Sequence, residues 1–553
     1  MNAPLLRPTP DWAEHEKPAL PGSASMPAHR PAERVAYAAV AVLAGLTGGL
    51  GTALMTANLP ALQGALGLEP AEAAWLSAAY AMTNVTANLV LFKFRQQFGL
   101  RLFAEIGLGA YAVLALLHLL ADTPQTLLLL RAASGFAGAA ASSLAILYMI
   151  QAFPRARIGQ ALVLGLGIAS LAAPLAWLLS PSLLDLGQWH RLAAFEAGLA
   201  LLAFAAVVSL KLPPGIHIRA FEPLDFLTFA LVAPAVALLV GAAVQGPLRW
   251  WTDAPWLGAM LALAVALLAA AFAIEHHRRN PLLRTRWLLQ PATLAFLAGA
   301  LLLRLLTTEQ SYGVVSLLRT LGMGGEQMQP LFAVVLAGTL AGLLLCAATF
   351  GPRSAPRQLT AAVALFALAG WLDAGHTSLD RPLDFAASQF LLSMGLGMFV
   401  GPLVMTGIQQ ALKRGTDHIV TFVVAFALTQ TFGSLLGNAA LSTWQQHREH
   451  VHSAALTAQL SPTDARTVER LRVLGAGLAP AVTDPAQRRT LAAARLAADT
   501  RREAQVRAFD DVFALTGAIA ASALGAALLL ALARRLHRAV FGPAPADAPR
   551  GTP

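Results

Sequence analysis

Two charges lie inside one apolar run. The stretch LLLRLLTTEQSYG, residues 301–313, carries Arg304 and Glu309 in a segment otherwise suited to lipid. An ionisable side chain at mid-membrane costs at least about 2.5–3.5 kcal/mol on insertion scales unless it meets water or a partner. Such residues therefore mark either a substrate or ion pathway or a structural pair. Five residues apart on a regular helix, Arg304 and Glu309 project roughly 140° from one another and are poor partners. Arg304 shares its face with Thr307, Thr308 and Ser311, and Glu309 shares one with Tyr312. An arginine in that place can recognise anionic or polar substrate groups. Desolvation favours the protonated form of a carboxylic acid, which makes Glu309 a candidate proton carrier. The competing reading for both is a structural ion pair with another helix.

Weaker candidates lie elsewhere. Asn84 and Asn88 are four apart and share a helix face, where they either line a cavity or bond across helices. Gln430 is similar, and Glu196 reads as structural. His447, His450 and His452 with Glu449 are too loosely spaced for a metal site, so a solvated helical face is the better reading. The lone cysteine, Cys346, sits in an apolar run and reads as packing. There is no phosphate loop, no zinc-peptidase histidine pair and no nucleophile elbow. An ATP-driven pump and an enzyme are thus disfavoured, and no cofactor or metal is expected.

The elements that must position these residues follow from composition. Of 553 residues, 12% are charged and 57% hydrophobic, and mean hydropathy is +0.61. Soluble domains carry roughly 25% charge. A helix needs about 20 apolar residues to cross the bilayer, and by that rule the chain holds about fourteen candidate spans between residues 36 and 536. Barrel strands would instead alternate in short segments. The expected fold is an all-α polytopic membrane protein. Residues 1–35 are polar and proline-rich and read as a disordered cytosolic tail, and 537–553 as a second tail.

Basic residues orient the spans. With the N-terminus inside, the inward connections hold Lys93, Arg95 and Arg101; Arg155 and Arg157; Lys211 and Arg219; Arg278, Arg279, Arg284 and Arg286; Arg353 and Arg357; and Lys413 and Arg414. The short outward connections LQGALGLEPAEAA and LADTPQ hold none. This positive-inside pattern puts both termini in the cytosol and assigns the net charge of +10 to topology rather than to a nucleic-acid partner. The segment 444–510 is the one long outer loop, read as a small helical hairpin.

Several stretches resemble the major facilitator superfamily, and within it the fourteen-span EmrB/QacA-type drug:proton antiporters. LLRAASGFAGAAASS resembles the fourth-span motif, with Arg131, Gly135 and Gly138 in the matching places. FKFRQQFGLRLF keeps Gly99 but lacks the aspartate usual in that loop. GLGIASLAAPLAWLLSP keeps Pro174 but not the paired glycines of the fifth span. Gly397 and Gly401 in GLGMFVGP have helix-packing spacing, and TFVVAFALTQTFGSLLGNAALSTW resembles the thirteenth span. The first span departs most, since its usual acidic position falls at about Gly51.

The resemblance implies two six-helix halves, 36–211 and 292–536, separated by two inserted helices at 222–275, with a substrate site near the midplane. It implies alternating-access export of drugs or amphiphilic small molecules from a bacterial inner membrane in exchange for protons. It also implies a periplasmic adaptor of the EmrA kind and an outer-membrane channel of the TolC kind. An uncoupled facilitator, or a transporter-like sensor or scaffold, is the alternative that the missing first-span carboxylate keeps open.

The topology is testable by labelling. In a Cys346→Ala background, Arg286→Cys should react with an impermeant maleimide only from the cytosolic side, and Ser378→Cys only from the outer side. Reaction of both from one side contradicts the orientation.

Overall fold

The computed structural model describes residues 5–541 except 9, 19, 185–188, 279, 352–353, 416–417 and 462; most of the tail 537–553 lies outside the described residues. The described chain is helical, with two isolated β-bridges and no strand among the described residues. The long helices are α1 (Pro31–Ala57), α2 (Pro70–Phe98), α3 (Leu100–Leu117), α4 (Pro124–Ala152), α5 (Ile158–Leu183), α6 (His190–Ser209), α7 (Pro223–Arg249), α8 (Pro255–His277), α9 (Pro291–Thr308), α10 (Gly325–Ala348), α11 (Ala355–Asp373), α12 (Ala386–Leu412), α13 (His418–Ala458) and α14 (Pro485–Phe541). Seven of them, α1, α2, α4, α7, α8, α9 and α14, start on a proline. Proline suits a first helical turn because its missing N–H would be unpaired there anyway. Twelve helical segments among the described residues are apolar and long enough to cross a membrane. The two long helices outside that set are α2 and α11. Of these, α2 carries Thr83, Asn84, Thr86, Asn88 and Lys93 along its length.

Helix pairings repeat. In the first part α1 packs on α5, α2 on α4, α3 on α6 and α3 on α4. In the last part α9 packs on α13, α10 on α12, α11 on α14 and α11 on α12. Each second pair is the first shifted by eight helices, as two six-helix repeats around an inserted α7–α8 pair require. The halves meet where α5 lies on α10 and α12, and where α2 lies on α13.

The inserted pair is clasped at one end by charge. Helix α7 packs on α2, on α8 and on α13. Arg278, with its side chain 5% exposed, bonds Glu275 at 2.6 Å, Asp225 at 2.9 Å and Glu222 at 3.0 Å, and Lys93 of α2 reaches Asp225 at 2.6 Å. Removing one member of such a buried cluster strands the rest, at a cost of about 3–5 kcal/mol.

Two expectations need revision. Within 1–35, the described residues are placed rather than loose. Leu5 and Ala24 bridge to Ile218 and Gly215, and the Ser25 carbonyl accepts from Gln151 Nε2 at 3.0 Å. The segment 444–510 is not a separate hairpin. Helix α13 runs unbroken to Ala458 and α14 begins at Pro485, leaving only Ala465–Leu478 as a helix of its own. The 41 residues of α13 span about 60 Å, twice the hydrocarbon thickness. Arg448 and His452 of its extension both reach Asp511 of α14 at 2.6 Å.

Small residues set the closest contacts. A Cβ on Gly397 of α12 would lie 2.7 Å from the Thr339 carbonyl oxygen and the Leu343 nitrogen of α10. Gly397→Leu should therefore cost about 1–3 kcal/mol or more through overpacking. Gly258→Ala, with nothing within 4 Å, should leave thermal unfolding in detergent unchanged. Equal melting of the two variants contradicts the packing.

Candidate functional site

Arg304 faces α13. Its Nε donates to Gln430 Oε1 at 2.7 Å. Glycines on α13 allow that approach: a Cβ on Gly433 would be 2.6 Å from Arg304 Cβ, and one on Gly437 would be 2.6 Å from Thr308 Oγ1. The side chain is half-buried, and no carboxylate pairs with it among the described residues. Thr307 and Thr308 turn their hydroxyls back onto the Arg304 carbonyl at 3.1 and 2.7 Å. Beyond Thr308 the helix widens into a π-helical stretch, Glu309–Val314, and tightens again over Val315–Thr320. Such widenings recur at functional sites.

Glu309 emerges on the other side, 1% exposed, against α14 and α11. Its Oε2 accepts from Thr516 Oγ1 at 2.5 Å. Its carboxyl neighbours that of Asp373, which is fully buried at the end of α11. Glu309 Oε1 and Asp373 Oδ1 have no hydrogen-bond partner among the described residues. Two neighbouring buried anions repel, whereas a protonated carboxyl can donate to its neighbour, so the arrangement fits one shared proton. Neutral amides complete the surroundings. Gln389 of α12 donates to Asp373 Oδ2 at 2.7 Å, and Gln310 donates to Gln389 Oε1 at 3.0 Å and to Ser393 Oγ at 2.9 Å. Sequence reading missed Asp373, because a carboxylate at the end of a span is what a solvated helix terminus also looks like.

Just past α11, His376 bridges two acids. Its Nε2 lies 3.6 Å from Asp373 Oδ1 and its Nδ1 lies 2.8 Å from Asp380 Oδ2. Burial pushes the imidazole pKa down, but the bonds and charges of Asp373 and Asp380 outweigh it and hold the ring above its ordinary value.

The first half holds a second polar centre. Arg131 of α4 is fully buried, donates from one terminal nitrogen to the Gly51 carbonyl at 2.9 Å and lies 4.6 Å over the Tyr80 ring. Tyr111 of α3 donates to Glu196 Oε1 of α6 at 2.7 Å. A Cβ on Gly51 would fall 1.9 Å from the Tyr111 oxygen and 2.8 Å from Glu196 Oε1. The first span thus has no acid at the expected place, and an acid from the sixth reaches the same spot. The signal was the pairing of an unexplained Gly51 with an unexplained Glu196.

Other candidates hold helices together. Asn84 donates to the Gly135 carbonyl at 3.0 Å, and Asn88 to its own helix at Asn84 at 3.0 Å. Gly135 and Gly138 of α4 sit against Tyr80 of α2, where added Cβ atoms would be 2.2 Å from its carbonyl and 2.4 Å from its hydroxyl. Gly99 ends α2 at φ +89°, beneath the His217 ring. Gly401 admits Val163 of α5, and Pro174 is buried within α5. Tyr312 reaches Gln445 of α13 at 3.5 Å. No cluster of three or more metal-ligating side chains occurs among the described residues.

The family model described as Major Facilitator Superfamily matches residues 41–438. The chain belongs to the major facilitator superfamily. Membership makes it a multi-pass membrane transporter. Solved structures agree in fold. A structure from work on proton dependent oligopeptide transporters has TM-score 0.56 at 12% identity, covering 90% of this chain and 99% of that one. The human organic anion transporter MFSD10 (TETRAN) has TM-score 0.53 at 12% identity, covering 88% and 99%. A D-xylose-proton symporter has TM-score 0.50 at 13% identity, covering 74% and 90%. At such identities the likeness speaks for the fold alone. A comparison with curated proteins gives no match.

In this superfamily member the halves are also joined near the end of α9. Arg319 donates to the Ala57 carbonyl at 2.9 Å and lies 5.2 Å from the Trp177 ring. Trp177 stacks on Phe332 of α10 at 4.7 Å.

Gly51 gives the test of the first centre. Gly51→Ala should destabilise the protein by pushing Tyr111 and Glu196 apart, and Tyr111→Phe should relieve part of that loss. A double-mutant cycle should then show a coupling of about 0.5–3 kcal/mol. Strict additivity contradicts the contact.

Proposed function

We propose that this chain is an EmrB/QacA-type secondary transporter that exports amphiphilic small molecules across a bacterial inner membrane by alternating access, in exchange for protons. The observation that carries proton coupling is the buried Glu309–Asp373 pair, two neighbouring carboxyls with unpartnered oxygens, with the His376 imidazole 3.6 Å from Asp373 on its far side. A group that carries protons must exist in both protonation states, and a paired carboxyl flanked by neutral amides supports that role.

The reading takes fourteen spans with both termini in the cytosol, supported by the charge pattern and by fourteen helices of 18 or more residues among those described. The domain division is 36–211, 222–275 and 292–536. Arg304 takes the part of substrate recognition, with Gln430 as its partner and Tyr312 nearby. Its lack of a carboxylate partner supports that role over a structural ion pair. The extensions of α13 and α14 beyond the bilayer would present a helical surface to an EmrA-like periplasmic adaptor, and through it to a TolC-like channel.

A second reading keeps its own observation. Gly51 stands where the resembling family has an acid, which favours an uncoupled facilitator or a transporter-like sensor or scaffold.

Efflux from proteoliposomes under an imposed pH gradient separates the two. With a panel of cationic, neutral and anionic fluorescent amphiphiles, Glu309→Gln should reduce gradient-driven efflux by at least about tenfold while substrate exchange persists. Arg304→Ala should weaken transport of anionic or polar members more than cationic ones. Gradient-driven efflux unaffected by Glu309→Gln refutes the proton-carrier role, and no transport of any amphiphile favours the second reading.

A further inference from the structure

We propose that Asp380, His376 and Asp373 form a proton relay joining the buried Glu309–Asp373 pair to water at the end of the bundle between α11 and α12. The proposal rests on the reading of Glu309 as a proton carrier and adds the route by which its proton arrives.

The pair itself is sealed, with Glu309 1% and Asp373 0% exposed. Access to water improves stepwise along the route. The His376 side chain is 14% exposed and that of Asp380 is 25%. The imidazole addresses Asp373 through Oδ1, an oxygen that has no hydrogen bond of its own, at 3.6 Å. On its other side it meets Asp380 at 2.8 Å. Imidazole is the side chain able to take a proton at one ring nitrogen and release one from the other.

The ring is held for this use. It stacks on Phe385 with centroids 3.8 Å apart. Gly375, at φ +106°, turns the chain back over the end of α11, a conformation that favours glycine. The backbone of Gly375 and His376 faces Asp510 of α14, and the Thr377 N–H donates to Asp380 Oδ2 at 2.6 Å.

The charged surroundings are named readily. Asp373 faces the ring from α11, Asp380 from its own loop and Asp510 from α14; Glu309 of α9 lies behind Asp373. Asp384 is turned to the Arg381 N–H, and Asp511 is occupied by Arg448 and His452 of α13. The group facing from α12 is the neutral Gln389. An imidazole so surrounded by acids holds its proton more firmly than in water.

The transfer balances simply. A proton from water enters through Asp380 Oδ2 to Nδ1. The proton on Nε2 passes to Asp373 Oδ1 and is shared with Glu309. The ring is left neutral and protonated at Nδ1, and tautomerisation resets it: Nδ1 gives that proton back to Asp380 and Nε2 takes one from water, with no net change in protons. Only N–H and O–H bonds form and break, and one proton enters for each delivered.

The test is hydrogen–deuterium exchange of the carboxylic-acid infrared band in oriented vesicles after heavy water is added at the face bearing His376. The double variant Glu309→Gln/Asp373→Asn should lose the band; a band that survives it refutes the proton-carrier reading. His376→Gln should keep the band and slow its exchange by at least about tenfold. A retained band exchanging at the wild-type rate, or faster as loss of a mere plug would give, overturns the relay and leaves the carrier reading standing. Should His376→Gln not fold, the more exposed Asp380→Asn decides: slower exchange supports the relay and an unchanged rate overturns it.

Discussion

Hydrocarbon offers no hydrogen bonds and little screening, so every charge inside the bundle must be answered by protein or water. That constraint organises this molecule. Each intramembrane charge is answered differently. Arg131 is closed in by a carbonyl and an aromatic face. Arg278 is neutralised by three acids. Glu309 meets another acid and a hydroxyl. Arg304 meets a neutral amide. The first two join helices, although Arg131 keeps Nε and one terminal nitrogen, and Arg278 its Nε, without a hydrogen-bond partner among the described residues. The last two are under-satisfied, and under-satisfied polar groups in a packed interior are where ligands and protons find their place.

The two halves repeat in helix pairing but not in chemistry. In the first half, a glycine on the first helix lets a tyrosine and the sixth-helix acid close over it. In the second half, the equivalent first helix carries its own acid, and the partner acid comes from the end of α11. Local widening of α9 at Glu309–Val314 helps this asymmetry, because it changes which face the following residues present.

Much of this was legible in sequence. The all-helical membrane class followed from apolar length, and the superfamily from Arg131 with its spaced glycines. The opposite directions of Arg304 and Glu309 followed from helical geometry alone. Their partners did not, since Gln430, Thr516 and Asp373 lie between 64 and 207 residues away and no local pattern links them. The place of Glu196 beside Tyr111 was not legible either, since only the missing side chain at Gly51 makes room for it. The outer segment misled for a different reason. Polar composition signals exit from the membrane but not the end of a helix, so α13 and α14 continue where a loop was expected.

The central claim is that Glu309 and Asp373 act as one proton-binding unit, apart from Arg304. Carboxyl-selective carbon-13 NMR titration of the reconstituted protein measures that directly. The account predicts two coupled titration steps at Glu309 that collapse to one in Asp373→Asn and survive Arg304→Ala. A single Glu309 step indifferent to Asp373→Asn but displaced by Arg304→Ala would contradict it.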